Sequence, residues 1–298
     1  MIYTSDLRRR TVLNSTDHDF ADDKQLHLSF EPELIMMAIE AMNSDLDNIY
    51  KWSVSNGLSL NVNKCKVLFV APKEVVQALS DSGVQVSLNG QSLAIADKVK
   101  TLGIVLNSDL SFSDHITATT QKALGRLRGM YRFKDLLPEY GKIKLIQSLV
   151  LSLFYYCYPA YGNSISKEDM ERIQKLQNTA IRFVYGLKRF DHVSSYRQAA
   201  NLPLMEDVCR VLTGCVVHKT LTLGEPEYLA RRLLRRDEVA MRGTRHGEML
   251  HFPRVRLEVG RKSFSYFGPT LYNDLPEYVK SAGTLPTFKN RLKQLFND

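Results

Sequence analysis

The pattern of apolar residues changes once along the chain, near residue 110, and this change limits the folds that are available. Before it, short alternating or apolar runs predict strands around one long amphipathic segment. After it, apolar residues recur at helical spacing through several successive segments. In a chain of 298 residues with an ordinary globular composition, this predicts an α+β layer followed by a mostly helical region.

Strands and one long helix are predicted for the first 106 residues. Residues 17–30 alternate around an acidic pair, which indicates a strand, a tight turn and a second strand. Apolar residues at helical spacing predict a helix from residue 31 to the Asn56-Gly57 pair. Further strands are predicted at 66–71, at 84–88 and 91–95 around the Asn89-Gly90 turn, and at 99–106.

Helices are predicted for most of the remaining chain. Asp114 is the expected cap of the first, Pro138 opens the second, and Ser166-x-x-Asp169 forms a capping box for the third. The predicted helices are 114–134, 138–159, 166–186, 204–223, 225–236 and 285–296. Cys209, Cys215 and His218 lie among apolar residues without zinc-finger spacing, which favours a core helix over a metal site.

Charge is distributed unevenly along the chain, whose net charge is +8. Residues 1–60 carry five Lys/Arg against ten Asp/Glu, whereas residues 116–150 carry seven against two and residues 229–262 carry ten against four. An acidic head and a basic body are typical of a metal site beside a phosphate-binding surface. Solvated helix faces are the alternative explanation for the basic stretches.

Asp22 and Asp23 stand side by side in the predicted turn, where their like charges repel each other. Bound Mg²⁺ removes that repulsion, because it prefers oxygen ligands and is commonly held by one or two carboxylates together with substrate phosphates. Two-metal phosphoryl transfer needs a further carboxylate from another strand. The alternative for an isolated acidic pair is a solvated turn.

Nothing in the sequence indicates a membrane protein. The first ten residues lack the apolar core of a signal peptide, and the most apolar run, residues 145–161, is shorter than the roughly 20 residues of a spanning helix. Four cysteines without framework spacing fit a reducing compartment. We therefore expect an intracellular protein, in the nucleus or the cytoplasm.

The order of motifs resembles the reverse transcriptases of non-LTR (LINE-type, jockey-like) retrotransposons. Phe20-Ala21-Asp22-Asp23 is similar to the aromatic-Ala-Asp-Asp box of that family, with Phe in place of the more usual Tyr. Further similar positions follow along nearly the whole chain: Asn56-Gly57-Leu58, Asn61, Lys64, Val99-Lys100-x-Leu102-Gly103-Ile104, Asp114-His115-Ile116, Leu136-Leu137-Pro138 and Gly268-Pro269-x-Leu271-Tyr272-Asn273-Asp274-Leu275-Pro276. Trp is more usual in the family where Tyr272 stands.

The resemblance implies a fold and a set of site residues. Residues 1–112 would form a partial palm, residues 113–188 a helical thumb, and residues 189–298 a basic C-terminal region. Asp22 and Asp23 would bind Mg²⁺, Lys64 would lie near the incoming nucleotide, and Leu102-Gly103 would belong to a primer-grip strand. On the thumb, the residues expected to contact an RNA template or an RNA–DNA duplex through phosphates are Lys122, Arg126, Arg128 and Arg132.

The resemblance covers only the C-terminal half of such a polymerase. Its fingers and its first catalytic aspartate precede the Asp-Asp box, and only 21 residues precede Asp22 here. Asp6 is one candidate for the missing ligand, although it resembles the segment that leads directly into the box. We therefore expect the chain alone to be inactive unless an upstream fingers and palm fragment supplies the ligand. The alternative is a non-enzymatic nucleic-acid-binding protein derived from a retroelement.

Overall fold

The computed structural model describes residue 7 and residues 11–81, 83–239 and 247–297. It divides the chain into two compact units, residues 1–110 and 111–298. In their described residues, the first combines helices with short strands and the second is helical throughout most of its length, so the predicted α+β class is confirmed. None of the described helices is both long enough and apolar enough to cross a membrane.

The first unit contains four two-stranded sheets in its described part. The β1–β2, β4–β5 and β7–β8 pairs are antiparallel, and β3 pairs with β6 in parallel. Their bounds are β1 Thr16–Phe20, β2 Asp23–His27, β3 Lys66–Val67, β4 Ser87–Leu88, β5 Gln91–Ser92, β6 Ala94–Ile95, β7 Lys98–Thr101 and β8 Ile104–Asn107, with helices α1 Ile35–Ser55 and α2 Lys73–Asp81 between them.

Helix α1 carries the core of the first unit. Its Ile39 is buried against Val86, Leu88 and Leu93 from the β4–β5 region, and all four side chains form one apolar cluster. Asn43 on the same helix accepts a hydrogen bond of 2.9 Å from the backbone N–H of Ser87. The helix therefore holds the β4–β5 hairpin by apolar packing and by a side-chain hydrogen bond to its backbone.

The predicted single strand at 99–106 is wrong, because the chain reverses within it. Leu102 and Gly103 have φ values of 45° and 83°, and they form the two-residue turn between β7 and β8. Two successive positive φ values match a type I′ turn, like that of Asn89-Gly90, with φ values of 51° and 72°. Gly103 adopts this conformation without a steric penalty, so a glycine inside an apolar run was the available signal.

The second unit is built from helices in its described part. Its central helices are long, and the connecting helices are one or two turns. Their bounds are α3 Ser113–Met130, α4 Glu139–Leu145, α5 Ser152–Tyr155, α6 Tyr158–Tyr161, α7 Lys167–Tyr185, α8 Ser194–Ala199, α9 Met205–Leu223, α10 Glu227–Ala230, α11 Arg236–Val239, α12 Glu258–Lys262, α13 Phe264–Asn273, α14 Glu277–Lys280 and α15 Leu285–Asn297.

Both ends of helix α7 are formed as the sequence predicts. The Ser166 side chain accepts a hydrogen bond of 3.0 Å from the backbone N–H of Asp169, which satisfies one free donor of the first turn. Gly186 ends the helix in the left-handed conformation, with φ of 69°. By contrast, Asp114 is the second residue of α3 and not its cap, which is Phe112.

Two predicted helices are interrupted. The segment opened by Pro138 contains a π-helical stretch at Ile146–Leu151 and breaks at Cys157, where φ is 52°. The predicted helix 225–236 is wrong beyond its first turn, because its second half pairs with residues 247–251. Arg236 donates its backbone N–H to Met249, and His251 donates to Leu234, at 2.9 and 2.8 Å. Long-range backbone pairing overrides the helical pattern there.

Helix α9 places its cysteines and histidine in the core, as expected. Cys209 is buried, and burial raises its pKa to about 12, so the thiol stays protonated at neutral pH. His218 stacks on Phe288 with ring centroids 3.9 Å apart, and burial lowers its pKa. Among the described residues no group of three His, Cys, Asp or Glu side chains is placed to hold a metal ion.

The Gly-Pro-x-Leu-Tyr-Asn-Asp-Leu-Pro segment is a packing element of this unit. Its Tyr272 hydroxyl lies 3.1 Å from Nδ1 of the buried His218 on α9. Asn273 accepts a hydrogen bond of 2.8 Å from the backbone N–H of Leu250 and donates one of 2.9 Å to its carbonyl. The motif therefore fastens the 247–252 segment and helix α13 onto α9.

Candidate functional site

The acidic pair occupies the tip of the β1–β2 hairpin, as predicted from the alternating pattern. Phe20 and Asp23 are cross-strand partners, which leaves Ala21 and Asp22 as the two turn residues. Ala21 has φ of 56°, the positive value that primed hairpin turns require at their first central position. Asp22 and Asp23 are both exposed. The turn therefore presents two carboxylates to solvent from consecutive residues.

The two faces of the hairpin carry different chemistry. Lys24 forms ion pairs with the carboxylates of Asp17 and Asp19 on β1, at 2.8 and 2.7 Å. Because side chains alternate along a strand, this ion-paired cluster lies on the face opposite to Asp23 and Gln25. Asp17 and Asp19 are thus paired with Lys24 and lie on the opposite face of the hairpin from Asp23.

Gln25 connects the hairpin to the β7–β8 turn. Its side-chain amide donates a hydrogen bond to the hydroxyl of Thr101, the last residue of β7. Gln25 shares a face with Asp23, about 7 Å along the strand. The Leu102-Gly103 turn follows Thr101 directly, so the structure brings this turn close to the strand that carries Asp23. No sequence signal indicated this hydrogen bond.

Asp45 anchors the segment that enters β1, and sequence reasoning missed it. Its carboxylate lies fully buried on α1 and accepts hydrogen bonds of 2.7–3.2 Å from the backbone N–H groups of Leu13, Asn14 and Ser15 and from the side chains of Asn14 and Ser15. Burial alone would raise the pKa of Asp45, but these hydrogen bonds lower it below its ordinary value. The available signal was an acid at a helical position between Met42 and Ile49 on the apolar stripe.

Lys64 and Asp6 are the other predicted site residues of the first unit. Lys64 is exposed at the end of the short 3₁₀ turn Val62–Lys64, just before β3. No hydrogen bond or ion pair in the described part of the chain joins Lys64 to Asp22 or Asp23. Asp6, the candidate third ligand, lies outside the described residues.

The predicted basic residues lie on exposed positions of the second unit. Lys122, Arg126 and Arg128 are exposed on α3, and Arg132 is exposed in the 3₁₀ turn Tyr131–Phe133. Arg126 donates a hydrogen bond of 2.7 Å to the Leu149 carbonyl, within the π-helical stretch. Its role is therefore partly structural, whereas the other three are available to a ligand in solvent.

Comparison with known proteins finds similarity to polymerases of mobile elements. It is 24% identical over 217 residues to the RNA-directed DNA polymerase from mobile element jockey of Drosophila funebris, covering 72% of this chain and 22% of that relative. Its counterpart in Drosophila melanogaster is 22% identical over 241 residues, covering 78% and 25%. The probable RNA-directed DNA polymerase from transposon BS of the same species is 25% identical over 191 residues, covering 63% and 20%.

These similarities confirm the resemblance drawn from the motifs: the chain is related to the reverse transcriptases of non-LTR retrotransposons. Two of these relatives are polymerases of the jockey element itself. The chain spans between 20% and 25% of the length of these relatives. No protein-family model and no solved structure matches it.

Proposed function

We propose that this chain forms part of a retrotransposon RNA-directed DNA polymerase and contributes the Asp-Asp hairpin of its nucleotidyl-transfer centre. The observation that carries the proposal is the exposed pair Asp22 and Asp23 on a tight hairpin turn in a relative of such polymerases. In this assignment residues 1–112 are a partial palm, residues 113–188 a thumb and residues 189–298 a basic C-terminal region.

The acidic pair has the chemistry of a partial Mg²⁺ site. Both ligands are carboxylates, the oxygen donors that Mg²⁺ prefers, and both are open to an incoming phosphate. Bound ions would stabilise the attacking and leaving oxygens of nucleotidyl transfer. Within the described residues no third potential ligand joins the pair. In this proposal a separate palm segment supplies the remaining carboxylate, and Asp6 is the alternative.

Other residues take roles around this centre in the proposal. Lys64 would contact the nucleotide or protonate pyrophosphate, and the Leu102-Gly103 turn would support the primer end. The hydrogen bond from Gln25 to Thr101 supports the second role, since it holds that turn beside the strand of Asp23. An RNA template and an RNA–DNA duplex are the expected partners, together with an upstream fingers and palm fragment.

Primer extension on an RNA template with Mg²⁺ tests the catalytic part. We expect no template-dependent product from the 298-residue polypeptide alone, because two carboxylates do not position two ions. Adding a fingers and palm fragment from a related element should restore product, and Asp22→Ala or Asp23→Ala should then reduce it at least about a hundredfold. Asp19→Ala is the matched control on the same hairpin. Product from the polypeptide alone that disappears in Asp22→Ala would contradict the requirement for a partner.

Salt dependence tests the contacts of the thumb. Lys122, Arg128 and Arg132 are exposed cations outside any ion pair within the described part of the chain, so they can neutralise phosphates. Changing all three to glutamine should weaken binding to an RNA–DNA duplex. Each lost contact should make the negative slope of log K against log salt shallower by about 0.9. The control is glutamine at Lys51, Lys73 and Lys98 of the first unit. An unchanged slope would assign the α3 cations to a solvated helix face.

The second candidate is a non-enzymatic nucleic-acid-binding protein derived from a retroelement. The incomplete ligand group among the described residues favours it. It predicts that the duplex binding persists while the partner fragment fails to restore polymerisation. The two experiments above therefore separate the candidates.

A further inference from the structure

Three helices of the second unit meet at one end of their bundle. Tyr131, just after α3, packs edge-to-face on Phe183 of α7, with ring centroids 5.0 Å apart. The ammonium of Lys134 lies 3.8 Å from the position that a Cβ would take on Gly186, the residue that ends α7. Helix α4 begins at Glu139 and packs on α7. The 131–138 and 186–193 loops are therefore neighbours at this end.

This end of the bundle presents aromatic rings to solvent. The exposed rings, with their exposed fractions, are Tyr131 at 45%, Phe133 at 53%, Tyr140 at 71% and Phe190 at 89%. Rings of this size usually gain about 1.5–3 kcal/mol from full burial, so leaving several exposed together is unfavourable unless a ligand covers them. Phe133, Tyr140 and Phe190 each leave more than half of their surface exposed to solvent.

Cations accompany the exposed rings. The Lys144 ammonium lies 5.5 Å from the ring centroid of Tyr140, and the Arg189 guanidinium lies 5.7 Å from that of Phe190. Residues 131–144 and 182–191 together carry seven Lys/Arg against three Asp/Glu. One of those acids, Asp191, already accepts the backbone N–H of Lys188 at 2.7 Å. This positive field favours a polyanion over an apolar protein surface as the occupant.

We infer that this end of the bundle binds single-stranded nucleic acid, with bases stacked on Tyr140 and Phe190 and the adjoining cations on its phosphates. Unpaired bases expose the π-faces that such stacking needs, and every base has one, so the binding is indifferent to sequence. A duplex hides those faces within its own stack. The site thus goes beyond the phosphate contacts proposed for α3, and it does not depend on polymerase activity.

The test compares three oligonucleotides of equal length bound to the full chain. They are a single strand with bases, the same strand with abasic sites throughout, and a blunt RNA–DNA duplex. We expect Tyr140→Ala with Phe190→Ala to weaken binding of the strand with bases at least tenfold, because each stacked base contributes about 1–3 kcal/mol. Binding of the abasic strand and of the duplex should change less than twofold, since every charge is retained.

Tyr228→Ala is the matched control, because Tyr228 is an exposed tyrosine ring on helix α10 whose exposed fraction of 64% is close to that of Tyr140. Phe190→Trp keeps a ring and adds an exposed indole to a chain whose one tryptophan, Trp52, is buried. Its fluorescence should be quenched by the strand with bases and not by the abasic strand. An equal loss on all three oligonucleotides, no loss on any, or a dimer dissociated by the double variant would each overturn the inference. Failure of duplex binding alone would instead count against the proposed thumb contacts.

Discussion

Replacing Asp45 with alanine should lower the free energy of unfolding of the first unit by about 3–5 kcal/mol. The substitution removes the buried carboxylate that accepts hydrogen bonds from the backbone N–H groups of Leu13, Asn14 and Ser15. Hydrogen bonds to a charged group contribute about 1.5–3 kcal/mol each when their loss leaves a partner unsatisfied. Urea denaturation followed by Trp52 fluorescence measures the effect, since Trp52 is the single tryptophan and lies on α1.

The same residue has a defined dependence on pH. Because the folded pKa of Asp45 is below its ordinary value of 3.8, its stabilisation is fully present above that value. This stabilisation is lost as the pH falls through the folded pKa of Asp45. The wild-type chain should therefore lose it in strong acid. The Asp45→Ala variant lacks it already at neutral pH. Asp47→Ala, an exposed acid on the same helix, is the control and should change stability by less than about 0.5 kcal/mol. Equal urea midpoints for the two variants would contradict the anchor.

Asp45 also links stability to the candidate site. The segment it holds, residues 13–15, leads directly into β1, and β1 carries the chain to the Asp22-Asp23 turn. Gln25 ties the other strand of that hairpin to Thr101. The acidic tip is therefore held on its entering side by a buried carboxylate and on its leaving side by an amide. The partners outside the hairpin, Asp45 and Thr101, lie more than 20 positions away from the turn.

The position of the acidic pair in a hairpin turn was easier to predict than the contacts that hold the hairpin in place. The acidic turn, the Asn89-Gly90 hairpin and the ends of α7 all rest on local chemistry: positive φ at a turn, and a serine that accepts from its own helix. Asp45 and Gln25 act across distances that only the fold determines, so no local pattern identified their partners. The roles of Lys64 and of the α3 cations remain predictions, because each depends on a ligand.

The two wrong secondary-structure predictions, the strand 99–106 and the helix 225–236, also arise because distant residues determine the structure. Leu102-Gly103 reads as part of an apolar strand, since leucine is an unusual residue at a positive φ, and only the pairing of Lys98–Thr101 with Ile104–Asn107 fixes the reversal. Residues 231–236 have helical amphipathicity, but the partner of their backbone lies at 247–251. Burial of Leu233 and Leu250 in one cluster then outweighs helix propensity. Non-local pairing decided both cases.

Gly162→Ala should destabilise the second unit by about 3 kcal/mol or more. An added Cβ would lie 2.5 Å from the Cys209 sulfur and 2.7 Å from two ring carbons of Tyr158, and both side chains are almost completely buried. The backbone of Gly162 is right-handed helical, with φ of −62°, so the substitution introduces no dihedral strain and the whole loss comes from overpacking. Urea denaturation followed by far-UV circular dichroism measures it.

Gly125→Ala is the contrasting control, because that glycine lies within α3 and an added Cβ meets nothing within 4 Å. It should stabilise the protein by about 0.5–1 kcal/mol, since alanine has the higher helix propensity and restricts the unfolded chain. Cys209→Ala in the Gly162→Ala background should recover part of the loss by removing the nearest atom, and the double-mutant cycle should show a coupling of about 1 kcal/mol or more. If the effects of Gly162→Ala and Cys209→Ala on stability were additive, the contact between α6 and α9 would have relaxed to admit the methyl group. Overpacking would then not explain the loss of stability.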